Sequence, residues 1–541
     1  MSLKRYFRLI KLRKANEIDF SMDTPEENLH FEKGLQQRLV QIQNELGHSP
    51  DVIVRSFQTN FECPPVAVVY MEGLTDQEKV NHFIGNSLLV ENPLSADMLN
   101  DMQPKDFFEF IKSRTLAIGE IGLSSNWNHM VSSILSGELI VLVDGFSDYI
   151  IANLQSSKER SIMPPETEIN IRGPKDSFTE TIGTNISLIR RRLKSPNLWL
   201  ESMNIGTVSN TKVAIMYLQN VAEGRHVEEI KKRLKDIRID AILESGYIED
   251  LVKDDILSPF PTVFNSERPD VVAGNLLEGR IAVLVDGTPN TLILPTTFSQ
   301  FFKAAEDYYQ RFDFTIFMRA IRYLSFFIVI LVPSIYIAVT AYHHEMIPTL
   351  LVINLLAQRE GVPFPVVIEA LLMEIAFEIM REAGTRMPRA VGQAVSIVGA
   401  VVLGQAAVQA GIVTAMMVII VSLTGIASFT LPGYTLTNAA RLIRFPFMLA
   451  ASTLGFYGII IAMIMLVAHL TSLKSFGVPY MSPFSPFDLK DQQDTIWRSP
   501  LQSRTTRPQA PDLEPAAHSQ DAEDATSSSS AAIPTTKIRE D

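Results

Sequence analysis

The sequence predicts an α/β soluble N-terminal half of two tandem related subdomains, followed by an α-helical polytopic membrane domain. Three observations predict it. At 541 residues the chain is too long for a single core. The phrase "SGELIVLVDG" from Ser136 returns as "EGRIAVLVDG" from Glu278. Long apolar runs are concentrated between Tyr323 and about Leu470, with charged residues frequent on either side.

Residues 1–27 carry Lys4, Arg5, Arg8, Lys11 and Arg13, which leave no apolar run of the kind a secretory signal needs. Leu3, Phe7 and Ile10 share one helical face. The segment reads either as a basic amphipathic helix on an anionic leaflet or as a solvated basic arm. Both readings start the soluble half on the cytosolic side.

Two α/β subdomains follow, over 28–160 and 161–300. In each, an apolar run meets Asp-Gly and a second strand-like run follows. Asp-Gly between such runs predicts a β-hairpin with a type I′ turn, so Asp144, Gly145, Asp286 and Gly287 are expected to be turn residues. The strand before each turn lacks polar alternation and is expected to be buried on both faces. A second pair supports duplication: "VAVVYMEGL" at Val66 and "VAIMYLQNV" at Val213 both lead into helix-like segments. In the later one Ile230, Leu234 and Ile237 mark an amphipathic face.

This half shows no Gly-rich nucleotide loop, no H-E-x-x-H and no nucleophile elbow, so no catalytic residue or cofactor is expected. The net charge of −12 speaks against a general nucleic-acid binder. The single cysteine, Cys63, excludes an intrachain disulfide framework and a cysteine-rich metal site. Arg172, Lys175 and Arg190-Arg191-Arg192 could bind an anion or a partner, or form a solvated connector and helix face.

Residues 301–322 read as an amphipathic linker, and 323–472 as the membrane domain. Spans are expected near 323–342, 363–380, 390–410, 412–431 and 445–470, each near the roughly 20 residues a bilayer requires. The piece 347–358 is shorter and reads as re-entrant. His343-His344 resembles a metal pair, but neighbours on a helix diverge by about 100°, so an interfacial position is expected. Arginine clusters at Arg311/Arg319/Arg322, Arg381/Arg386/Arg389 and Arg441/Arg444 all fit the cytosolic side. The odd count sends the C-terminus outside unless 347–358 crosses or the last span re-enters. Residues 473–541 form a tail, expected to be disordered after about 497.

Within the membrane part, Ala400 and Gly404 form a small-xxx-small helix-packing pair. Gln393 and Gln405 either support helix packing or line a wet path. Glu374, Glu378 and Arg381 fall within an arc of about 60° on one helix, and Glu369 lies elsewhere on the wheel. Charges inside a span normally face an interior or cavity, which makes these residues a candidate polar stripe of a pore. The alternative is an interfacial helix with a solvated Glu378–Arg381 pair.

The stretches "ILPTTFSQFFKAAEDYYQRF", "HHEMIPT", "REGVPFPVVIEALLMEIAFEIMREAGTRMPRAVGQAVSIVGAVVLGQAAVQAG", "SFTLPGY", "RLIRFPFMLAA" and "SFGVPYMSPFSP" closely resemble the A subunit of GerA-type spore germination receptors. The resemblance covers about Glu26 to Pro486. It implies a multi-pass protein of the endospore inner membrane that triggers germination in response to nutrients. It also implies a transporter-like B subunit, a lipoprotein C subunit and a homo-oligomer, a pentamer, around an ion path. Three classes remain: a nutrient-gated channel subunit, an ion-coupled secondary transporter, or a structural and signalling scaffold of the receptor.

Overall fold

A computed structural model describes residues 34–57, 64–84, 108–109, 111–112, 121–156, 165, 168–386, 404–487, 492 and 494–500. The chain divides into two compact units, the first built from described parts of residues up to 44, of 53–71 and of 77–155, the second from the remainder.

The first unit holds α1 (Leu35–Glu45), β1 (Val52–Phe57), β2 (Val66–Met71), α2 (Gln77–Phe83), β3 (Ile121–Ser124), α3 (Trp127–Leu135), β4 (Leu139–Val143) and β5 (Tyr149–Ala152). The strands form one sheet in the order β1-β2-β4-β5-β3. β2 and β4 are apolar throughout and wholly buried, as their lack of alternation requires. They pair antiparallel with Val66 opposite Val143, and β4 pairs with β5 through Ile140 opposite Ile151.

The second unit opens with the same plan. It contains α4 (Ile182–Arg192), β6 (Leu198–Ile205), β7 (Thr211–Leu218), α5 (Gly224–Asp236), α6 (Ser245–Val252), β8 (Phe264–Ser266), α7 (Pro269–Leu277), β9 (Ile281–Val285) and β10 (Thr291–Leu294). The strand order β6-β7-β9-β10-β8 repeats that of the first sheet position by position. Val227, Ile230 and Leu234 of α5 are buried in the core on one face of this sheet.

Seven helices follow: α8 (Phe312–Ala341), α9 (Thr349–Arg359), α10 (Val366–Arg386), α11 (Gly404–Gln409), α12 (Ala415–Ser428), α13 (Tyr434–Leu454) and α14 (Phe456–Ser472). The short strands β11 (Lys474–Ser475) and β12 (Val478–Pro479) close the unit. Among the described residues α8 alone is both long and apolar enough to cross a membrane by length and composition, while α9, α12 and α14 are shorter apolar helices.

Two expectations change here. The predicted stretch 445–470 is broken. Gly455 sits at φ +60° between α13 and α14, and a Cβ there would lie 2.7 Å from His343 Cε1. A side chain at Gly458 would overlap the carbonyl oxygen of Ala450. Glycine is therefore required for this corner. The C-terminal segment consequently does not end on the far side from the second sheet. α8 leaves that sheet near Phe302 and ends at Tyr342, whose hydroxyl donates to the Ser452 carbonyl late in α13. α14 returns to the sheet domain, where His469 Nε2 meets Ser258 Oγ at 2.9 Å. Beyond it, Phe298 N donates to Tyr480 O at 2.7 Å and Ser475 Oγ to Thr262 O at 2.7 Å. The extra reversal at Gly455 is what the count of crossings omitted.

Candidate functional site

The repeated Asp-Gly pairs sit at the tips of the β4–β5 and β9–β10 hairpins. Gly145 and Gly287 adopt φ +83° and +91°, whereas neither aspartate has positive φ. Phe146 N donates to Val143 O at 3.3 Å. Positive φ at the second central residue alone is the type II pattern, so the expected type I′ turn is corrected. The connections that follow Val143 and Val285 are five residues long, 144–148 and 286–290, rather than two. The aspartates have a second task. Asp144 Oδ1 accepts from Leu35 N at 2.8 Å, and Asp286 Oδ1 accepts from Ile182 N at 3.1 Å. Each carboxylate thus satisfies an otherwise orphaned amide at the start of a helix, favoured further by the helix dipole. The same hydrogen bond recurs in both sheets.

The charged residues of α10 meet partners on α12 and α13. Glu374 and Glu378 lie one turn apart, and so do Arg441 and Arg444 on the facing helix. Arg444 Nη1 is 2.8 Å from Glu374 Oε2, and Nη2 is 2.9 Å from Glu378 Oε1. Arg441 Nε donates to the same Glu378 oxygen at 2.9 Å, while its Nη1 donates to Asn438 Oδ1 at 3.0 Å. Glu374 and Arg444 are 0 % and 1 % exposed. The Glu374–Arg444 contact is a close ion pair outside hydrogen-bond alignment, and the Thr424 side chain is a further hydrogen-bonding neighbour of Glu374.

Arg381 does not join this cluster or pair with Glu378. Its guanidinium stands 5.2 Å from the Phe429 ring centre, a cation–π contact. Glu369 faces a different neighbour, accepting from Thr414 N at 2.6 Å and Thr414 Oγ1 at 2.5 Å where Thr414 caps α12. Gln405 is exposed on α11. Gly404 is buried, and a Cβ there would touch Val418 of α12 at 3.4 Å. Gln393 and Ala400 lie outside the described residues.

A second buried charge cluster lies at the base of α8. Arg319 Nε donates to Asp307 Oδ2 at 3.0 Å, and its Nη1 to Asp494 Oδ1 at 3.1 Å and Thr495 O at 2.8 Å. Arg322 Nη1 donates to both Asp307 oxygens at 2.8 and 2.7 Å, and to Phe302 O at 3.1 Å. Arg498 donates to the Asp307 carbonyl and, at 3.0 Å, to Gln310 O. Sequence reasoning took these arginines only as markers of membrane side and assigned Asp494 and Arg498 to a tail. The available signal was the acidic pair Glu306-Asp307 shortly before a helix whose apolar sequence carries Arg319 and Arg322.

Beside this base, α7, residues 300–309, the first turns of α8 and the α12–α13 link enclose a cavity of about 750 Å³. Aromatic side chains anchor the same region: Phe298 lies 5.5 Å from Phe326 and 6.0 Å from Tyr480.

The second unit thus joins a five-stranded sheet to a set of helices with charged side chains buried between them. The chain belongs to the Bacillus/Clostridium GerA spore germination protein family, whose pattern matches residues 40–510. It is 48 % identical over 477 residues to spore germination protein KA of Bacillus subtilis (strain 168), covering 88 % of this chain and 86 % of that one. It is 38 % identical to spore germination protein GerLA of Bacillus cereus, with 89 % and 96 % covered. The uncharacterized membrane protein YfkQ of Bacillus subtilis (strain 168) is 41 % identical, with 85 % and 87 % covered. Among solved structures, the N-terminal domain of the A subunit of the Bacillus megaterium spore germinant receptor GerK3 matches at 39 % identity and a TM-score of 0.39. That match covers 49 % of this chain and 96 % of the crystallised one.

Proposed function

We propose that this chain is the multi-pass A-type subunit of a nutrient germinant receptor in the spore inner membrane. On this reading copies of it assemble around an ion path, alongside transporter-like B and lipoprotein C subunits. The α/β half lies on the cytosolic side, and α8, α10, the span expected near 390–410, α12, α13 and α14 cross the bilayer, an even count that returns the chain to the sheet. Support comes from the outward faces of these helices, where Ile375, Ile379, Ile419, Leu449, Ile460 and Ile464 are exposed. So extensive an apolar surface is stable against lipid rather than water.

The observation that carries the mechanism is the buried Glu374–Arg444 pair, extended by Glu378 and Arg441. Every charge in it is matched within the subunit, so the carboxylates do not draw ions through an open path. They hold α10 against α13. Opening the path then means loosening this contact, which is held chiefly by the attraction of opposite charges.

Glu374→Gln keeps shape and removes the pairing charge. Spores carrying it are expected to lose potassium and dipicolinate without nutrient, whereas Ile375→Ala, altering an exposed residue, leaves release nutrient-dependent. Receptor levels are matched by immunoblot. Nutrient-dependent, normal release from Glu374→Gln and Glu378→Gln alike would remove the gating role from this cluster.

A further inference from the structure

The 750 Å³ cavity at the base of α8 is within the roughly 300–1,000 Å³ typical of small-molecule sites. Its polar wall is unbalanced. Each lining cation already has a carboxylate: Arg268 lies 2.8 Å from Asp270, Arg322 2.7 Å from Asp307, and Lys303 3.5 Å from Asp494. The acceptors are not used up in this way. Glu306 and Glu278 lie 3.7 and 3.8 Å from Arg322 and Arg280, too far for hydrogen bonds.

Gln300 is the more telling group. It is 6 % exposed, and its Nε2 donates to Asn275 Oδ1 at 3.0 Å. Asn275 Nδ2 in turn donates to Val271 O at 2.8 Å, which fixes the direction of both amides. Gln300 lines the cavity, and its Oε1 is a buried acceptor with no hydrogen-bond partner among the described residues. Such an atom costs about 1–3 kcal/mol unless a donor reaches it. The remaining lining includes the aromatic faces of Phe264, Tyr309 and Phe429. Carboxylates, a spare amide oxygen and aromatic rings together favour a cation with N–H donors on an apolar body. Asn170 Nδ2 also lines the space without a partner, so the ligand can carry one oxygen acceptor.

We propose that this cavity binds a small organic ammonium compound, contacting α7, the start of α8 and the α12–α13 link at once. The ammonium sits among Glu306, Glu278 and Gln300 Oε1, and the apolar body lies against Phe264 and Phe429. Because the cavity walls belong to both the sheet domain and the helices, occupancy would bias how the two are held together. This assignment stands apart from the ion-path reading and survives its failure.

The test uses the full chain in phosphatidylglycerol nanodiscs and radiolabelled benzylamine in equilibrium binding. Gly274 of α7 lines the cavity with open space where a Cβ would be placed. Gly274→Leu therefore fills the cavity while replacing a helix glycine, a change that favours folding. Saturable binding is expected for the wild type, at least tenfold weaker in Gly274→Leu and several-fold weaker in Glu306→Gln. Benzoate should not compete, and benzyl alcohol should compete at least tenfold less well than unlabelled benzylamine. Displacement of the probe when phosphatidylethanolamine is added identifies a lipid headgroup as the ammonium source; persistence identifies a free solute. Absence of saturable binding, undiminished binding in Gly274→Leu, or equal competition by benzyl alcohol overturns the proposal.

Discussion

The two buried charge clusters of the helical half are built in opposite ways. At the base of α8, Asp307, Asp494 and three arginines share hydrogen bonds with side chains and with six backbone carbonyls, those of Phe302, Asp307, Tyr308, Gln310, Asp494 and Thr495. Between α10 and α13, Glu374 lies 2.8 Å from Arg444 outside hydrogen-bond alignment, while Glu378 accepts hydrogen bonds from both Arg441 and Arg444. Equal burial therefore does not mean equal rigidity. A cluster bonded to several backbone carbonyls from different segments acts as a rivet, and one held chiefly by Coulomb attraction can part when its helices are pulled.

The largest effect tests the rivet. Asp307→Ala leaves Arg319 and Arg322 buried beside a vanished carboxylate, a loss of about 3–5 kcal/mol. The variant subunit should be nearly absent from membrane fractions by immunoblot. A normal level would erase the distinction between the clusters.

The next effect tests the lock. Arg444→Glu alone places like charges together and should lower subunit abundance or raise nutrient-independent ion loss by about tenfold, equivalent to about 1.4 kcal/mol. Combining it with Glu374→Arg restores opposite charges at the same positions and should recover most of the defect. Failure of the double variant to improve on the single one would show that the charge pairing itself is unimportant.

A smaller effect concerns Glu168, near the base but outside the helices. Burial pushes its carboxyl up to about 7, opposed by hydrogen bonding from Ser266 and by Arg268, and reinforced by Glu267 and Asp270. The protonated form is the one the fold favours. Its stabilising contribution is therefore complete below the ordinary value of 4.5 and is lost as pH rises through about 7. Thermal midpoints of the purified protein should fall between pH 5 and pH 8, and Glu168→Gln should flatten that fall. Glu249, shifted up to about 7 mainly by burial, contributes in the same direction and remains in the variant. An identical pH profile for Glu168→Gln would dismiss the role of Glu168.

The smallest effect lies in the sheets. Asp286→Asn keeps an oxygen for Ile182 N and should change stability by less than about 0.5 kcal/mol, while Asp286→Ala should cost about 1 kcal/mol. Asp144 should behave alike toward Leu35. Equal losses for Asn and Ala would mean that charge, not hydrogen bonding, sets the contact.

Much of the α/β half was legible because its signals are local. Uninterrupted apolar runs around Val141 and Val283 announced buried strands, and the duplicated phrase announced a duplicated sheet. The helix-start contact of Asp144 was hidden because its partner, Leu35, is 109 positions away. The stripe at Glu374 and Glu378 was visible from helical spacing, but Arg444 as its partner required the packing of α10 on α13. Arg381 was grouped with them by angle alone, and its ring partner on α12 could not be read from one helix. The corner at Gly455 was concealed by "LAASTLGFYGII", where glycine is as compatible with a continuous span as with a break.

The lock has a further consequence during synthesis. Glu378 leaves the ribosome 63 and 66 positions ahead of Arg441 and Arg444. At about 5–20 residues per second, the interval is roughly 3–13 s. On the proposed multi-pass reading, α10 carries throughout it two carboxylates whose neutralising arginines have not yet been made. The corner at Gly455 then delivers α13 and α14 as a hairpin, so the arginines arrive on a unit that can cross and return together. Slowing translation between residues 386 and 441 would prolong the exposed interval and should divert newly made subunits to membrane proteases.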